Sequence, residues 1–350
     1  MLGWFPGHMN KARRQILEAL PEIDVVIEVL DARLPYSSAN PMLAHLTRHK
    51  PVLKILSRAD LADPQRTKEW TAFFDAQENT RALAITTTNT RELKRIPKLC
   101  HELAGQVRAD RDVRVMVMGI PNVGKSTLIN GLAGRTIAKT GNEPAVTKRQ
   151  QKVRIPGRIA LTDTPGVLWP KIEDQASAYR LAASGAIRDT AIDYVDVALI
   201  AAAELAKRYP DALKSRYKLK QLPTYEANPE ADSVEADGGF RLDLMANAGF
   251  DGHAILADIA SRRGGLRAGG EIDLHRGSEV LLHELRDGKI GRLTLETPAD
   301  IPEEEPEEEG LEEAEQDLQE TAGQAPANAQ VGDASQSQKT QDSTPDNGPQ

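Results

Sequence analysis

The chain has 350 residues, 40% of them hydrophobic and 27% charged, with Cys100 as its single cysteine. That length fits one large domain or two ordinary ones. No apolar run reaches the roughly 18 residues that span a bilayer, Met1–Gly7 lacks the charged start and long apolar core of a signal peptide, and one cysteine excludes an intrachain disulfide, which suits a reducing cytoplasm. The net charge of −8 hides an asymmetry: residues 301–350 carry −13 and residues 1–300 carry +5. The basic residues gather at Lys11, Arg13 and Arg14, at Lys214, Arg216, Lys218 and Lys220, and at Arg262, Arg263 and Arg267. Such clusters suit a polyanion such as RNA, and equally a solvated face.

In chain order, Asn10 is placed to cap a helix over Lys11–Leu20. Asp24–Leu30 and Val52–Leu56 read as buried strands, separated by a turn and a short helix over Met42–Arg48. Pro64–Ala76 reads as a helix with Trp70, Phe73 and Phe74 inward. Ala82–Thr86 is a third strand, and Arg91–Val107 a helix interrupted near Pro97. Val113–Met118 is a further apolar strand; residues 150–155 and Arg158–Leu161 form a strand pair. Strands alternating with helices predict an α/β fold with a mostly parallel sheet. From Asp174 the texture changes to alanine-rich helices over Gln175–Ala186, Val195–Tyr209, Asp251–Arg263 and Ser278–Arg286. The expected organisation is therefore residues 1–173, an α/β domain; residues 174–298, a smaller all-α domain; and residues 299–350, a disordered acidic tail.

Between Val113–Met118 and the next helix lies Gly119-Ile120-Pro121-Asn122-Val123-Gly124-Lys125-Ser126, a Gly-x-x-x-x-Gly-Lys-Ser phosphate loop. Asn122, Val123, Gly124, Lys125, Ser126 and Thr127 are the phosphate-binding set. Lys125 is to reach the outer phosphates and Ser126 to offer its hydroxyl to Mg²⁺. Downstream, Asp163-Thr164-Pro165-Gly166 has the Asp-x-x-Gly pattern of GTP-binding proteins, with Asp163 near Mg²⁺ and Gly166 facing the γ-phosphate. Thr147, between the two, is either an ordinary loop residue or the switch threonine that ligates Mg²⁺; the flanking motifs favour the switch.

Guanine recognition needs an aspartate at a strand end, accepting from guanine N1–H and N2–H. No Asn-Lys-x-Asp follows Gly166. The best match, Ser57-Arg58-Ala59-Asp60, comes before the phosphate loop, and Thr86-Thr87-Thr88-Asn89 is placed as a second base-contacting loop. Ser57, Arg58, Asp60, Thr87 and Thr88 are thus the guanine-binding candidates. The order base loop, phosphate loop, switch is a circular permutation of the usual one, which a sheet can survive when termini are relocated.

With these motifs the chain resembles the ribosome biogenesis GTPase A family of circularly permuted GTPases. The resemblance rests on Trp4-Phe5-Pro6-Gly7-His8-Met9, Asp31-Ala32-Arg33-Leu34-Pro35, Asp60-Leu61-Ala62-Asp63, Gly119–Ser126, Asp163–Pro170, Ser184-Gly185-Ala186-Ile187 and Gly288-Lys289-Ile290-Gly291-Arg292, and covers roughly residues 3–297. It implies a monomeric GTPase that uses GTP/GDP and Mg²⁺, binds a maturing large ribosomal subunit through rRNA, and leaves after hydrolysis. Two departures stand out. Ser57-Arg58 replaces the family's Asn-Lys, so guanine selectivity is expected with weakened affinity; and Ala145 precedes Val146-Thr147 where the family often has glycine.

Val167 occupies the position after Asp-x-x-Gly where many GTPases carry a water-orienting glutamine. The resemblance points instead to His8, whose imidazole can polarise water; the alternative is a packing histidine. Asn122 is either a turn residue or, as in related GTPases, a ligand for K⁺. Two other functions compete: an RNA-binding assembly factor that holds nucleotide only as a structural ligand, and a GTPase of tRNA modification or signalling, against which the permutation and the N-terminal aromatic motif count.

Overall fold

The computed structural model describes residues 6–107, 110–137, 151–168, 172, 174–187, 192–226 and 239–301. Six strands carry the α/β part: β1 Val25–Asp31, β2 Val52–Ser57, β3 Thr80–Ala84, β4 Val113–Met118, β5 Gln151–Ile155 and β6 Ile159–Asp163. They form one sheet in the order β3-β2-β1-β4-β6-β5. All neighbours are parallel except the β5–β6 hairpin. The central strands β1, β2 and β4 are mostly apolar because both faces of the sheet are covered there, and the charges within β1 and β2, Glu28 and Lys54, pair with each other at 2.7 Å. In β1, Val25, Ile27 and Val29 enter one apolar cluster while Val26 enters a second and Leu30 a third. In β4, Val113, Val115 and Val117 face the first cluster, and Met116 and Met118 the second. This is the period of two that strands impose.

Around the sheet lie α1 Pro6–Ala19, α2 Pro41–Thr47, α3 Pro64–Asp75, α4 Thr90–Leu93, α5 Arg95–Ala104 and α6 Lys125–Ala133. α1 begins at Pro6, four residues before the expected Asn10 cap, since proline tolerates the first helical position, where no N–H partner is needed. The break expected at Pro97 sits at Lys94. Restarting at Arg95 puts Pro97 in a first turn, where its missing N–H costs nothing. β3 pairs from Thr80, opposite Val52, two residues earlier than the apolar run suggests.

The later helices are α7 Gln175–Ser184, α8 Tyr194–Arg208, α9 Pro210–Tyr217, α10 Gly239–Ala248, α11 Gly252–Arg262 and α12 Leu274–Arg286. α9 and α10 were not legible as helices. The alanines of α8 let neighbours approach closely: Val197–Ala203, Leu205 and Ala206 are all buried. A Cβ on Gly252 would overlap the Leu199 carbonyl oxygen, so α11 enters backbone against backbone. The sheet and these helices belong to one compact unit, Met1–Pro306. The stretch from residue 302 to the C-terminus, including the acidic tail, lies outside the described residues, as does Thr147.

Candidate functional site

β1 and β4 are neighbours, but β2 and β3 continue on one side and β6 and β5 on the other. The carboxyl ends of β1 and β4 therefore flank a topological switch point, where open α/β sheets bind ligands. The phosphate loop leaves β4 there. Gly119 has φ +142°, and a Cβ on it would lie 2.5 Å from the Val29 carbonyl oxygen, so only glycine fits. Asn122 and Gly124 also take positive φ, 59° and 94°. Such turns gather backbone N–H groups into an anion-binding nest at the N-terminus of α6. Lys125 opens α6, is buried, and donates from Nζ to the Ile120 carbonyl at 2.6 Å. Burial pulls its ammonium down to about 8, while the Asp163 carboxylate opposes that shift. Ser126 and Thr127 follow in the first turn, half-buried, and Val123 is buried beneath.

Asp163 ends β6 and is buried. Thr164 anchors the next turn, its hydroxyl donating to the Val117 carbonyl at 2.8 Å. A Cβ on Gly166 would lie 2.9 Å from Lys125 Nζ and 3.0 Å from the Pro121 backbone, so this glycine presses directly on the phosphate loop. Val167 points into the apolar cluster of Ile16, Leu43 and Met118. Its carbonyl accepts from Asn40 Nδ2 at 2.8 Å. The side chain after Asp-x-x-Gly is therefore core, not catalytic machinery.

Next to the phosphate loop, Ser57 ends β2 and is fully buried. Its hydroxyl lies 2.6 Å from the Val123 carbonyl and 2.9 Å from the Leu30 carbonyl, so the short side chain keeps the contact to the phosphate loop. Arg58 takes φ +55° and turns its guanidinium to Asp31 Oδ2 at 3.0 Å and to the Asn122 carbonyl at 2.5 Å. Asp60 is exposed. Thr87 is half-buried, 3.9 Å from a Cβ placed on Gly124, and Thr88 is exposed beside it. Glu92 pins this turn by accepting from the Thr86 N–H at 2.6 Å. Ser57, Thr87 and the phosphate loop are thus brought together. His8 lies in α1, but its side chain is outside the described residues.

Sequence reasoning missed the supports. Asp31 and Arg33 form a buried fork, Nε–Oδ1 2.9 Å and Nη2–Oδ2 2.8 Å. Burial alone would raise the Asp31 pKa; the charges and hydrogen bonds of Arg33 and Arg58 outweigh it and hold the carboxyl well below the usual range. Arg33 Nη1 also reaches the Leu285 and Arg286 carbonyls at the end of α12. Arg286 in turn donates to the Ala183 and Ala182 carbonyls ending α7. Asn122 Nδ2 closes the circuit on the Gly185 carbonyl at 2.9 Å. Farther round, Glu296 is buried and accepts from the Tyr36 and Ser37 N–H groups. Burial pushes its carboxyl up to about 6, with Arg180 and these hydrogen bonds opposing.

Some expected basic residues converge on a cleft of about 780 Å³ lined by Arg216, Tyr217, Lys218, Arg262, Arg263 and Lys289, among others. Arg216 pairs with Glu284 and Arg262 with Asp258, while Arg263 lies over the Tyr217 ring at 5.3 Å. Lys218, at φ +59°, is exposed at the end of α9. Among the described residues no helix is long and apolar enough to cross a membrane.

Comparison with known proteins gives the family of the chain. Residues 114–224 match a family model described as 50S ribosome-binding GTPase. That match starts in β4, so the Ser57–Asp60 loop lies before it, as a permuted order requires. The ribosome biogenesis GTPase A of Bacillus cereus is 43% identical over 312 residues, 87% of this chain and 96% of that protein. The protein of the same name from Priestia megaterium is 42% identical over 306 residues, 85% and 97% respectively. GNP-bound YlqF from T. maritima superposes with a TM-score of 0.53 at 24% identity, covering 83% of this chain and all of that one, a likeness of fold. The chain belongs to the ribosome biogenesis GTPase A family of circularly permuted GTPases.

Proposed function

We propose that this GTPase is an assembly factor of the large ribosomal subunit, which binds rRNA in its GTP state and leaves after hydrolysis. The observation that carries the proposal is the basic cleft of Arg216, Lys218, Arg262, Arg263 and Lys289 on the part of the chain beyond Asp174, which is tied to the nucleotide loops through Arg33, Arg286 and Asn122. Cationic side chains around an aromatic ring suit a phosphodiester backbone. The names of the relatives and of the family model point to the ribosome. Sedimentation with large-subunit precursors tests it: co-sedimentation with a non-hydrolysable GTP analogue and release with GDP is expected, and equal binding in both states would sink it.

In this reading Asp60 accepts from the guanine edge, with Ser57, Arg58, Thr87 and Thr88 shaping that pocket. The loop from Asn122 to Thr127 cradles the phosphates and Gly166 meets the γ-phosphate. Asp163 and Ser126 are hard oxygen donors that fit Mg²⁺, and Thr147 completes the set. Mg²⁺ neutralises charge on the phosphate oxygens when bound. His8 orients the attacking water. Its helix supports this reading, since Ile16 of α1 shares an apolar cluster with Val167. Loss of subunit-stimulated turnover in His8→Ala, with GTP binding intact, is the expected result. K⁺ at Asn122 would make turnover fall when sodium replaces potassium.

One observation favours a second reading, nucleotide as a structural ligand with little turnover. Val167 is buried and supplies no water-orienting group. Turnover with and without ribosomal particles separates the two.

A further inference from the structure

An aspartate that reads guanine must hold its carboxylate to within a few tenths of an ångström, because hydrogen bonds weaken steeply with misalignment. Asp60 is exposed and makes no hydrogen bond to another described residue. The charges of Arg33 and Arg58 also act on Asp60, but with no hydrogen bond to fix its carboxylate, its position rests mainly on the backbone of residues 58–63. That backbone starts in a strained place, since Arg58 is a non-glycine residue at φ +55°. Toward the sheet it is tied by Ala59 N–H to the Ile85 carbonyl at 3.1 Å.

The other side is held from more than 200 residues away. Arg292 Nη2 donates to the Ala59 carbonyl at 2.9 Å, and Nε donates to the Ala62 carbonyl at 3.0 Å. Leu293 N–H donates to the Leu61 carbonyl at 2.9 Å. A Cβ on Gly288 would lie 2.7 Å from Leu61 Cδ2, so the segment lies tight under the loop. Thr294 Oγ1 accepts from Asp63 N–H at 3.2 Å. One planar guanidinium spans the carbonyls on either side of Asp60, a fork that a lysine ammonium cannot copy.

We propose that Arg292 is a specificity-determining positioning residue, whose grip on the Ala59 and Ala62 carbonyls sets the Asp60 carboxylate against the guanine edge. The inference rests on Asp60 being the guanine reader.

The test is the ratio of dissociation constants for IDP and GDP, because hypoxanthine lacks the 2-amino group that Asp60 would contact. It is measured for the full chain, Arg292→Ala, Arg292→Lys, Asp60→Ala and the Asp60→Ala/Arg292→Ala pair, each checked for a cooperative thermal melt. Loss of general stability moves both constants together and leaves the ratio alone. We expect Arg292→Ala to lower the ratio about three- to tenfold, Arg292→Lys to fall between, and the double variant to match Asp60→Ala. An unchanged ratio in Arg292→Ala and Arg292→Lys, with Asp60→Ala lowering it, overturns the role of Arg292. An unchanged ratio in Asp60→Ala overturns the reading of Asp60 itself.

Discussion

Replacing Arg33 by methionine keeps the volume of the side chain but removes its charge. In the native protein Asp31 and Arg33 are almost wholly buried, with side-chain exposures of 3% and 5%. The substitution deletes both fork hydrogen bonds to Asp31 and the donors to the Leu285 and Arg286 carbonyls. Breaking one partner out of a buried pair costs about 3–5 kcal/mol. Arg58 Nη1 stays at 3.0 Å, and the Arg33 backbone N–H still donates to Oδ1, so the lower end, about 3 kcal/mol, is expected at neutral pH. The pH dependence gives a second handle. Native Asp31 has its pKa depressed by Arg33 and Arg58. Its contribution is therefore fully present above the unfolded carboxylate range and is lost only as pH falls through the depressed value. In Arg33→Met, burial dominates and the carboxyl pKa rises, so protonation relieves the variant as pH falls toward the carboxylate range. Urea unfolding of both proteins at about pH 7.5 and about pH 5 measures the gap. The gap is expected to shrink at the lower pH. A gap under about 1 kcal/mol, or one that grows on acidification, would refute the reasoning.

The remaining predictions concern the loops and the core. Gly166→Ala thrusts a methyl group at Lys125 Nζ and the Pro121 backbone; affinity for a GTP analogue should fall about tenfold or more, and for GDP much less, by titration with fluorescent nucleotides. Ser57→Ala strips the Val123 carbonyl of its donor; GDP and GTP affinities should fall together, about five- to tenfold, in the same titration. Trp70→Ala removes a fully buried ring stacked on Phe74 and donating to the Glu296 carbonyl at 3.1 Å; urea unfolding should show a loss of about 3–5 kcal/mol.

What was legible in the sequence follows its physical range. β1, β2 and β4 are mostly apolar runs because both their faces are covered, and a run of that kind is read locally. The phosphate loop is legible because its glycines answer local demands, the Val29 carbonyl at Gly119 above all. Asp60 is expected as the base reader only by order, through the absence of a base motif after Gly166. The supports of the site were not legible, because they join residues far apart: Arg33 to Arg286, Asn40 to Val167, Arg292 to Ala59. No local pattern marks an arginine that binds a distant carbonyl. Ser57 is instructive in the other direction. As a replacement for asparagine it leads to an expectation of weakened affinity, yet full burial brings its hydroxyl within 2.6 Å of the Val123 carbonyl. β3 was misplaced by two residues because Ile85 is buried beyond the last paired residue, Ala84.

The central claim is that Asp60, ahead of the phosphate loop in the chain, reads guanine. Asp60→Asn tests it most directly. Xanthine carries an oxygen where guanine carries its 2-amino group, so an amide that donates there fits xanthine and repels guanine. Binding of GDP and XDP to the wild type and to Asp60→Asn is the measurement. A reversal is predicted, with GDP weakened by about 100-fold and XDP becoming the tighter ligand. Undiminished GDP binding with no gain for XDP would contradict the account.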